Sequence, residues 1–313
     1  MMKRLNIVLA LLLCSLLGAQ GQSASFLNIS PDVRSAGMGD AGVALRGNAF
    51  SLYLNPSAAV FGDSKGAVAY SYLPWQRELT DGSNLHTLSG YYRLGNRSGL
   101  LAGFRYFTHG DIVVTDGEGN TSGRFTPKEF SIDLGYAYRL CDRWSVSAVF
   151  HYISSDLGDF GGAKKGSAFA ADLGAMYHAR SWNAGLSLTN LGSEIDYGYD
   201  SYELPACLKA GGAYWHTFSD KHRLTGHAEL AYRLMPSDYS GVNAGFGAEY
   251  LYNGLVAVRG GYHIGDDKKT GPSYATLGCG LMYRGAEVNF AYWLAGSDSP
   301  VKGTFCLSAG WSF

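Results

Sequence analysis

From residue 66 onward, apolar and polar positions alternate with a period of two in segment after segment, broken by short runs rich in Gly, Asn, Asp and Ser. That period sends successive side chains to opposite faces of a strand. Fourteen such segments cover 66–73, 84–94, 98–108, 127–139, 143–154, 166–178, 182–190, 204–216, 222–234, 240–251, 254–263, 272–284, 286–294 and 302–313. Their lengths suit strands that cross a bilayer at a tilt, and an even number permits closure with no free edge. The pattern predicts an all-β protein, a 14-stranded antiparallel transmembrane β-barrel over residues 65–313.

In each segment one face is apolar. Phe130, Ile132, Leu134, Tyr136 and Tyr138 share a face of the fourth, Trp144, Val146, Ala148, Phe150 and Tyr152 a face of the fifth, and Val288, Phe290, Tyr292 and Leu294 a face of the thirteenth. Charge falls on the opposite face: Arg93, Arg105, Glu129, Asp133, Arg139, Arg143, Asp172, Lys209, Arg223, Glu229, Arg233, Glu249, Arg259 and Glu287. An Arg or Lys on the lipid face at mid-bilayer costs about 2–4 kcal/mol, so this segregation suits a lipid-facing exterior and a wet interior. Arg at Leu134 or Phe290 is therefore expected to damage assembly far more than Arg at Ser131 or Asn289. A soluble sandwich would show the same alternation with its apolar face turned in. Connection lengths and the two ends of the chain separate the two.

The connections alternate. Those after the second, fourth, sixth, tenth and twelfth segments are tight, such as Gly95-Asn96-Arg97, Tyr252-Asn253 and Gly285, whereas those after the first, third, fifth, seventh and eleventh are long. Membrane barrels combine short periplasmic turns with longer outer loops. Loops 109–126, 155–165 and 191–203 are thus expected outside. Two connections, Thr217 to Lys221 below and Met235 to Tyr239 above, blur the rule by their equal length.

At the start, Lys3-Arg4 precedes an apolar run from Leu5 to Leu17, and Ala19-Gln20-Gly21 supplies small residues where a signal peptidase cuts, so residues 1–21 are expected to be an export signal. The run is too short for a spanning helix. Leu11-Leu12-Leu13-Cys14 departs from a lipoprotein box, because Leu13 stands where a small residue is needed. At the far end, Thr304 to Phe313 alternates aromatic and small residues up to a terminal Phe, as bacterial outer-membrane barrels do.

Composition agrees: 43 Gly, 22 Tyr, 15 Phe and 6 Trp against 8 Pro and 16% charged residues describe a strand-rich, aromatic-rich chain. A net charge of -1 offers no basic surplus for nucleic acid. Cys141, Cys207, Cys279 and Cys306 have no paired spacing and suggest neither a metal knuckle nor a disulfide framework, only small lining residues. Tyr70, Tyr72, Tyr92, Tyr136, Trp144, Trp182, Tyr214, Tyr250 and Tyr262 suit interfacial anchors.

Residues 22–64 do not resemble a membrane strand and form an amino-terminal arm. Gly37-Met38-Gly39-Asp40-Ala41-Gly42 lacks the order and context of a nucleotide-binding loop, while Asn55-Pro56 reads as a helix start. Phe26-Leu27-Asn28-Ile29-Ser30-Pro31-Asp32-Val33-Arg34-Ser35-Ala36-Gly37-Met38-Gly39-Asp40-Ala41-Gly42-Val43-Ala44, followed by Tyr53-Leu54-Asn55-Pro56-Ser57-Ala58, resembles the amino-terminal signature of the PorV/PorQ family, closer to PorV, among the FadL-like barrels. The resemblance implies a fourteen-stranded barrel with an amino-terminal plug, its motif falling on Arg34, Gly37, Met38, Gly39, Asp40, Asn55 and Pro56. It further implies the outer membrane of a Gram-negative, Bacteroidetes-type bacterium and a role in type IX secretion, receiving exported cargo beside a translocon. FadL relatives instead pass hydrophobic small molecules through the barrel wall. The chain is shorter than expected of PorV itself, and outer loops account for the difference.

The remaining candidates are few. Arg93, Arg105, Asp133, Arg223, His227, Glu229, Arg233, Glu249 and Arg259 are expected to line the lumen, pairing with each other and with the plug as buried charges must, or else contacting a solute. Tyr197, Tyr199 and Tyr202 in a long loop are candidates for contact with a protein partner. His109-Gly110-Asp111, and His151 with Ser154-Ser155-Asp156, are weak matches to a hydrolase site, so no enzyme is expected. Asp111, Asp116, Glu118 and Asp266-Asp267 lack calcium-loop spacing, and no cofactor or metal is implied. Two roles stand: a non-catalytic barrel that docks cargo or a translocon partner through its outer loops, or a transporter of small hydrophobic solutes. Outer-membrane lipid is the partner common to both.

Overall fold

The computed structural model describes residues 24–77, 82–115, 121–158, 164–198 and 200–313; the expected export signal and Tyr199, Asp116 and Glu118 lie outside them. In chain order the strands are β1 (Gly66–Pro74), β2 (Ser83–Arg93), β3 (Ser98–His109), β4 (Ile112–Thr115), β5 (Thr121–Phe125) and β6 (Lys128–Arg139). There follow β7 (Trp144–Asp156), β8 (Gly166–His178), β9 (Trp182–Gly192), β10 (Ile195–Asp196), β11 (Ser201–Tyr202) and β12 (Cys207–Ser219). The last are β13 (His222–Arg233), β14 (Gly241–Tyr252), β15 (Val256–Ile264), β16 (Tyr274–Tyr283), β17 (Ala286–Leu294) and β18 (Phe305–Ser312).

Fourteen of these close into one antiparallel barrel, each paired to its neighbours in sequence and β1 paired to β18. Each falls within three residues of its predicted segment, because two-residue periodicity is a direct imprint of a strand with unlike faces. The closing seam has Ala67 opposite Ser312 and Tyr72 opposite Leu307, with Gly66 and Phe313 exchanging backbone bonds at 2.9 Å. The other four strands make two small hairpins, β4–β5 and β10–β11, inside long connections. Periodicity misses them because they are too short to alternate.

The two ambiguous connections resolve. β12 runs on to Ser219, through a register shift after Thr217, leaving only Asp220-Lys221 as the turn. The connection from β13 to β14 lengthens to Leu234–Ser240 and includes a short 3-10 helix. Short and long connections then alternate strictly round the barrel, so the long ones mark the outer end.

The faces separate cleanly. Leu134 is 60% exposed beside Asp133 at 0%, and Phe150, Phe169, Leu173, Leu230, Val258, Leu277 and Val288 are likewise exposed on the outer wall. The nine anchoring aromatics are exposed or half-buried. One expectation fails. The interior is packed rather than wet at Ser131 and Asn289, both buried and hydrogen-bonded, so it has no room for an Arg there. The cysteines also differ from expectation: all four are free, but Cys141 and Cys279 are exposed and only Cys207 and Cys306 are buried.

Filling comes from residues 24–65, which hold four short helical pieces, Ser25–Asn28, Val33–Ala36, Ser51–Leu54 and Pro56–Phe61. Phe26, Val33, Phe50 and Leu52 are fully or almost fully buried and pack against inward residues such as Leu85, Phe107, Ile153, Leu101 and Val149, while Met38, equally buried, clusters with Val43 and the wall residue Ala213.

Candidate functional site

The amino-terminal segment folds by local capping rather than by long helices. Asp32 caps the turn Val33–Ala36, its carboxylate accepting from the amides of Arg34 and Ser35. Asn55 caps Pro56–Phe61 by accepting from the amide of Ser57, with Pro56 at the first helical position. Between them Gly39 takes φ +80° and lies so near the wall that a Cβ would sit 2.5 Å from the Phe246 carbonyl oxygen. Only Gly meets both demands.

Barrel side chains all round the lumen hold this backbone. Glu229 Oε2 accepts from the amides of Gly42 and Val43 at 2.8 and 2.7 Å. Gly39 donates to Thr276 Oγ1 at 2.8 Å, and His227 Nε2 lies 2.8 Å from the Met38 carbonyl oxygen. Asn183 donates to the carbonyl of Ala44, Ser89 to that of Ala49, Ser145 to that of Ser57, and Arg93 to that of Gly62. Asn55 reaches the other way, donating to the Val43 and Ala175 carbonyls at 3.0 Å each.

Two charged webs anchor the segment more deeply. In the first, Arg34 donates from Nε and Nη2 to both oxygens of Glu249 at 2.9 and 2.8 Å; Arg259 joins the same carboxylate at 2.8 Å and reaches Asn289 at 2.9 Å. Burial opposes the charge on Arg34, but the Glu249 carboxylate more than offsets it and raises the guanidinium above its ordinary value. In the second, Asp133 accepts from the Tyr53 hydroxyl at 2.8 Å and from Ser131 at 2.9 Å, lies 2.6 Å from His151 Nδ1, and has Arg105 Nε at 3.6 Å. His151 Nε2 lies 3.0 Å from Asp172 Oδ2, close enough for an ion pair but off the hydrogen-bond line. Arg105 stacks over the Tyr53 ring at 4.5 Å and donates to the Leu27 carbonyl. Burial and the Asp133 charge together push the Tyr53 phenol well above its usual range.

His151 thus sits between two carboxylates with no serine on its ring nitrogens, and His109 pairs with Glu129 at 2.8 Å. Neither weak hydrolase match assembles a nucleophile with a base. Among the described residues, no group of His, Cys, Asp and Glu is placed to hold a metal ion.

The other expected lumen residues are less engaged. Arg233 donates to the Lys269 carbonyl at 2.7 Å and so holds down an outer loop. Arg223 is half-buried with Nε unpartnered, beside a smaller charged cavity of about 160 Å³ lined also by Arg34, Arg46 and Glu287. Among the loop candidates, Tyr197 is only 3% exposed; its hydroxyl bonds Ser155 at 2.8 Å and its ring meets Tyr202 edge to face. It fastens the loop to the barrel and is not displayed to a partner, a correction that alternation could not anticipate because loop aromatics follow no period. Residues the sequence did not single out, among them Thr276, Asn183, Ser145 and Ser147, carry much of the anchoring. Their signal was small polar residues repeated on the inward face.

At the long-loop end, a cavity of about 400 Å³ opens above Asp40, Gly42 and Val43. Lys209, Glu229, His263 and Tyr274 line it from the wall, and residues 267–272 form one rim. Asp40 Oδ2 accepts from the Tyr274 hydroxyl at 3.2 Å, while its Oδ1 is buried without a partner. Burial pushes the Asp40 carboxyl above the usual range, with His263 and Lys209 pulling partly back.

A closed barrel of this strand number, apolar outside and threaded by its own charged and small-residue segment, is an outer-membrane protein of FadL-like architecture. Solved structures share that fold: the Pseudomonas putida toluene transporter TodX at TM-score 0.60 and 13% identity, covering 89% of this chain and 97% of that one; the Ralstonia pickettii toluene transporter TbuX at 0.58 and 14%, covering 91% and 98%; and a Pseudomonas aeruginosa FadL homologue at 0.52 and 11%, covering 91% and 99%. No curated protein matches the sequence. The family model described as Type IX secretion system protein PorV matches residues 19–240, and the chain belongs to that family. It is a type IX secretion-associated barrel, and family and fold together indicate a non-enzymatic one.

Proposed function

We propose that this barrel serves type IX secretion by docking exported cargo or a translocon partner at its outer loops, with residues 24–65 as a plug that closes the lumen. One observation carries this reading: the segment is bonded to strands on every side of the barrel, by backbone amides on Glu229 and Thr276 and by side chains on Asp133 and Glu249. Opening a channel would break these bonds together, stripping Glu249 of Arg34, Asp133 of the Tyr53 hydroxyl and Glu229 of two amides, and each lost partner costs a buried charge part of its compensation. The expected lumen residues are then mostly the plug's mooring. Contact with partners falls to the long connections, where β4–β5 presents Ile112 and Val113 half-exposed beyond the wall.

The other reading, transport of a small hydrophobic solute, draws support from the toluene transporters that share the fold. It requires an apolar path, whereas the larger cavity presents Asp40, Lys209, Glu229 and Arg233. The test is recovery of the epitope-tagged barrel from outer membranes, alongside planar-bilayer recordings of the pure protein. Docking predicts a co-purified translocon or cargo and negligible conductance; steady single-channel currents and a barrel recovered alone would overturn it.

A further inference from the structure

We propose that the outer cavity binds a small zwitterion, a solute carrying one carboxylate and one ammonium, with Lys209 receiving the carboxylate and Asp40 the ammonium. The inference stands apart from docking, since the cavity's contents and the loops' partners can each be wrong alone.

The polar groups around the cavity divide into those already committed and those not. Glu229 spends Oε2 on the amides of Gly42 and Val43. Arg233 spends its guanidinium on the Lys269 and Thr270 carbonyls. Lys209 lines the cavity and, among the described residues, makes no hydrogen bond or ion pair. Asp40 keeps one oxygen without a donor, and His263 keeps Nδ1 unpartnered while its ring stacks on Tyr274 at 4.8 Å. Below the rim charges Asp267, Lys268 and Lys269, what is left over is one cation and an imidazole on the wall, Lys209 and His263, and one anion, Asp40, on the segment beneath them. The soft terminal torsion of an Asp side chain lets the orphan oxygen turn toward an incoming donor.

The dimensions agree. About 400 Å³ lies at the small end of pockets that enclose small molecules, roughly 300–1,000 Å³. A hydrocarbon of that size would strip water from Lys209 and Asp40 and return no bond to either. A solute with a single charge would satisfy one group and leave the other desolvated. Only opposite charges on one small ligand meet both.

The test is calorimetric titration of the full chain in detergent with four probes: the dipeptide Ala-Ala, its N-acetyl form, its C-terminal amide, and toluene. Free Ala-Ala is expected to bind at least about tenfold tighter than either blocked form, the loss that follows when one partner of a buried charge pair is removed. Lys209→Met should erase the preference over the amide, and Asp40→Asn the preference over the N-acetyl form. Retention of heat-modifiable gel mobility shows that each variant still forms the barrel, and Lys209→Gln replaces Lys209→Met if that one fails. Equal binding of blocked and free dipeptide, toluene competing for the site, or no heat from any probe would overturn the proposal.

Discussion

Asp40 illustrates how burial sets the behaviour of a single residue here. Its folded carboxyl titrates above its unfolded value because burial disfavours the charge. A group shifted that way favours the fold while protonated and loses that contribution as pH rises through the folded value. Asp40→Asn should therefore leave thermal stability unchanged in acid and raise it at neutral pH, a crossing that melting curves at the two pH values would show; a variant less stable at neutral pH would contradict the assignment. Arg placed at Leu134 or Phe290 meets lipid and costs about 2–4 kcal/mol. Arg at Ser131 overfills a sealed position beside Arg105, and overpacking alone costs about 1–3 kcal/mol. Arg at all three sites, and at Asn289 as the fourth, should thus lower the heat-modifiable fraction, where alternation alone promised tolerance on the inward side. Which face a residue occupies was legible from the odd-even order. What it meets there was not: nothing near His151 in sequence announces Asp133 and Asp172 on its flanks.

Among elements, the strands were the legible part and the amino-terminal segment was not. β6, β7 and β17 each present one greasy and one polar face over their whole length, the two-residue alternation that only a strand with unlike surroundings imprints. Residues 24–65 form helical pieces no longer than six residues, too short to imprint a period, and their conformation comes from caps and from bonds to distant strands. The family resemblance located the segment where periodicity could not. Gly39→Ala should destabilise the protein by about 1–3 kcal/mol, the usual cost of forcing a left-handed backbone on a side chain, and more if the wall at Phe246 cannot yield. Glu229→Ala strands two amides, each worth about 1–3 kcal/mol when buried unpaired. Hydrogen exchange should then quicken across residues 39–45 while β6 and β7 keep their protection; uniform quickening would mean that segment and wall are a single unit.

At the scale of the whole molecule, a closed wall carries connections of very unequal size, and the docking proposal puts partner contact where the long ones gather, as binding residues commonly sit on loops held by a scaffold. Deleting residues 112–125 should leave barrel yield and melting temperature unaltered while reducing co-purification of a secretion partner severalfold. Undiminished recovery would move the contact to another loop. Strand number was readable from the alternation, and barrel and membrane setting from the connection lengths and the two ends of the chain beside it; the choice between docking and transport was not, because both use the same wall and differ only in what fills it.

The seam between β1 and β18 also fixes where the inner segment is tethered. The bonds that join Gly66 to Phe313 complete the cylinder at the very residue where residues 24–65 hand over to the first strand, so the lining is leashed to the hinge of the ring itself, at the short-turn end, and reaches the opposite mouth only by threading the whole height of the wall.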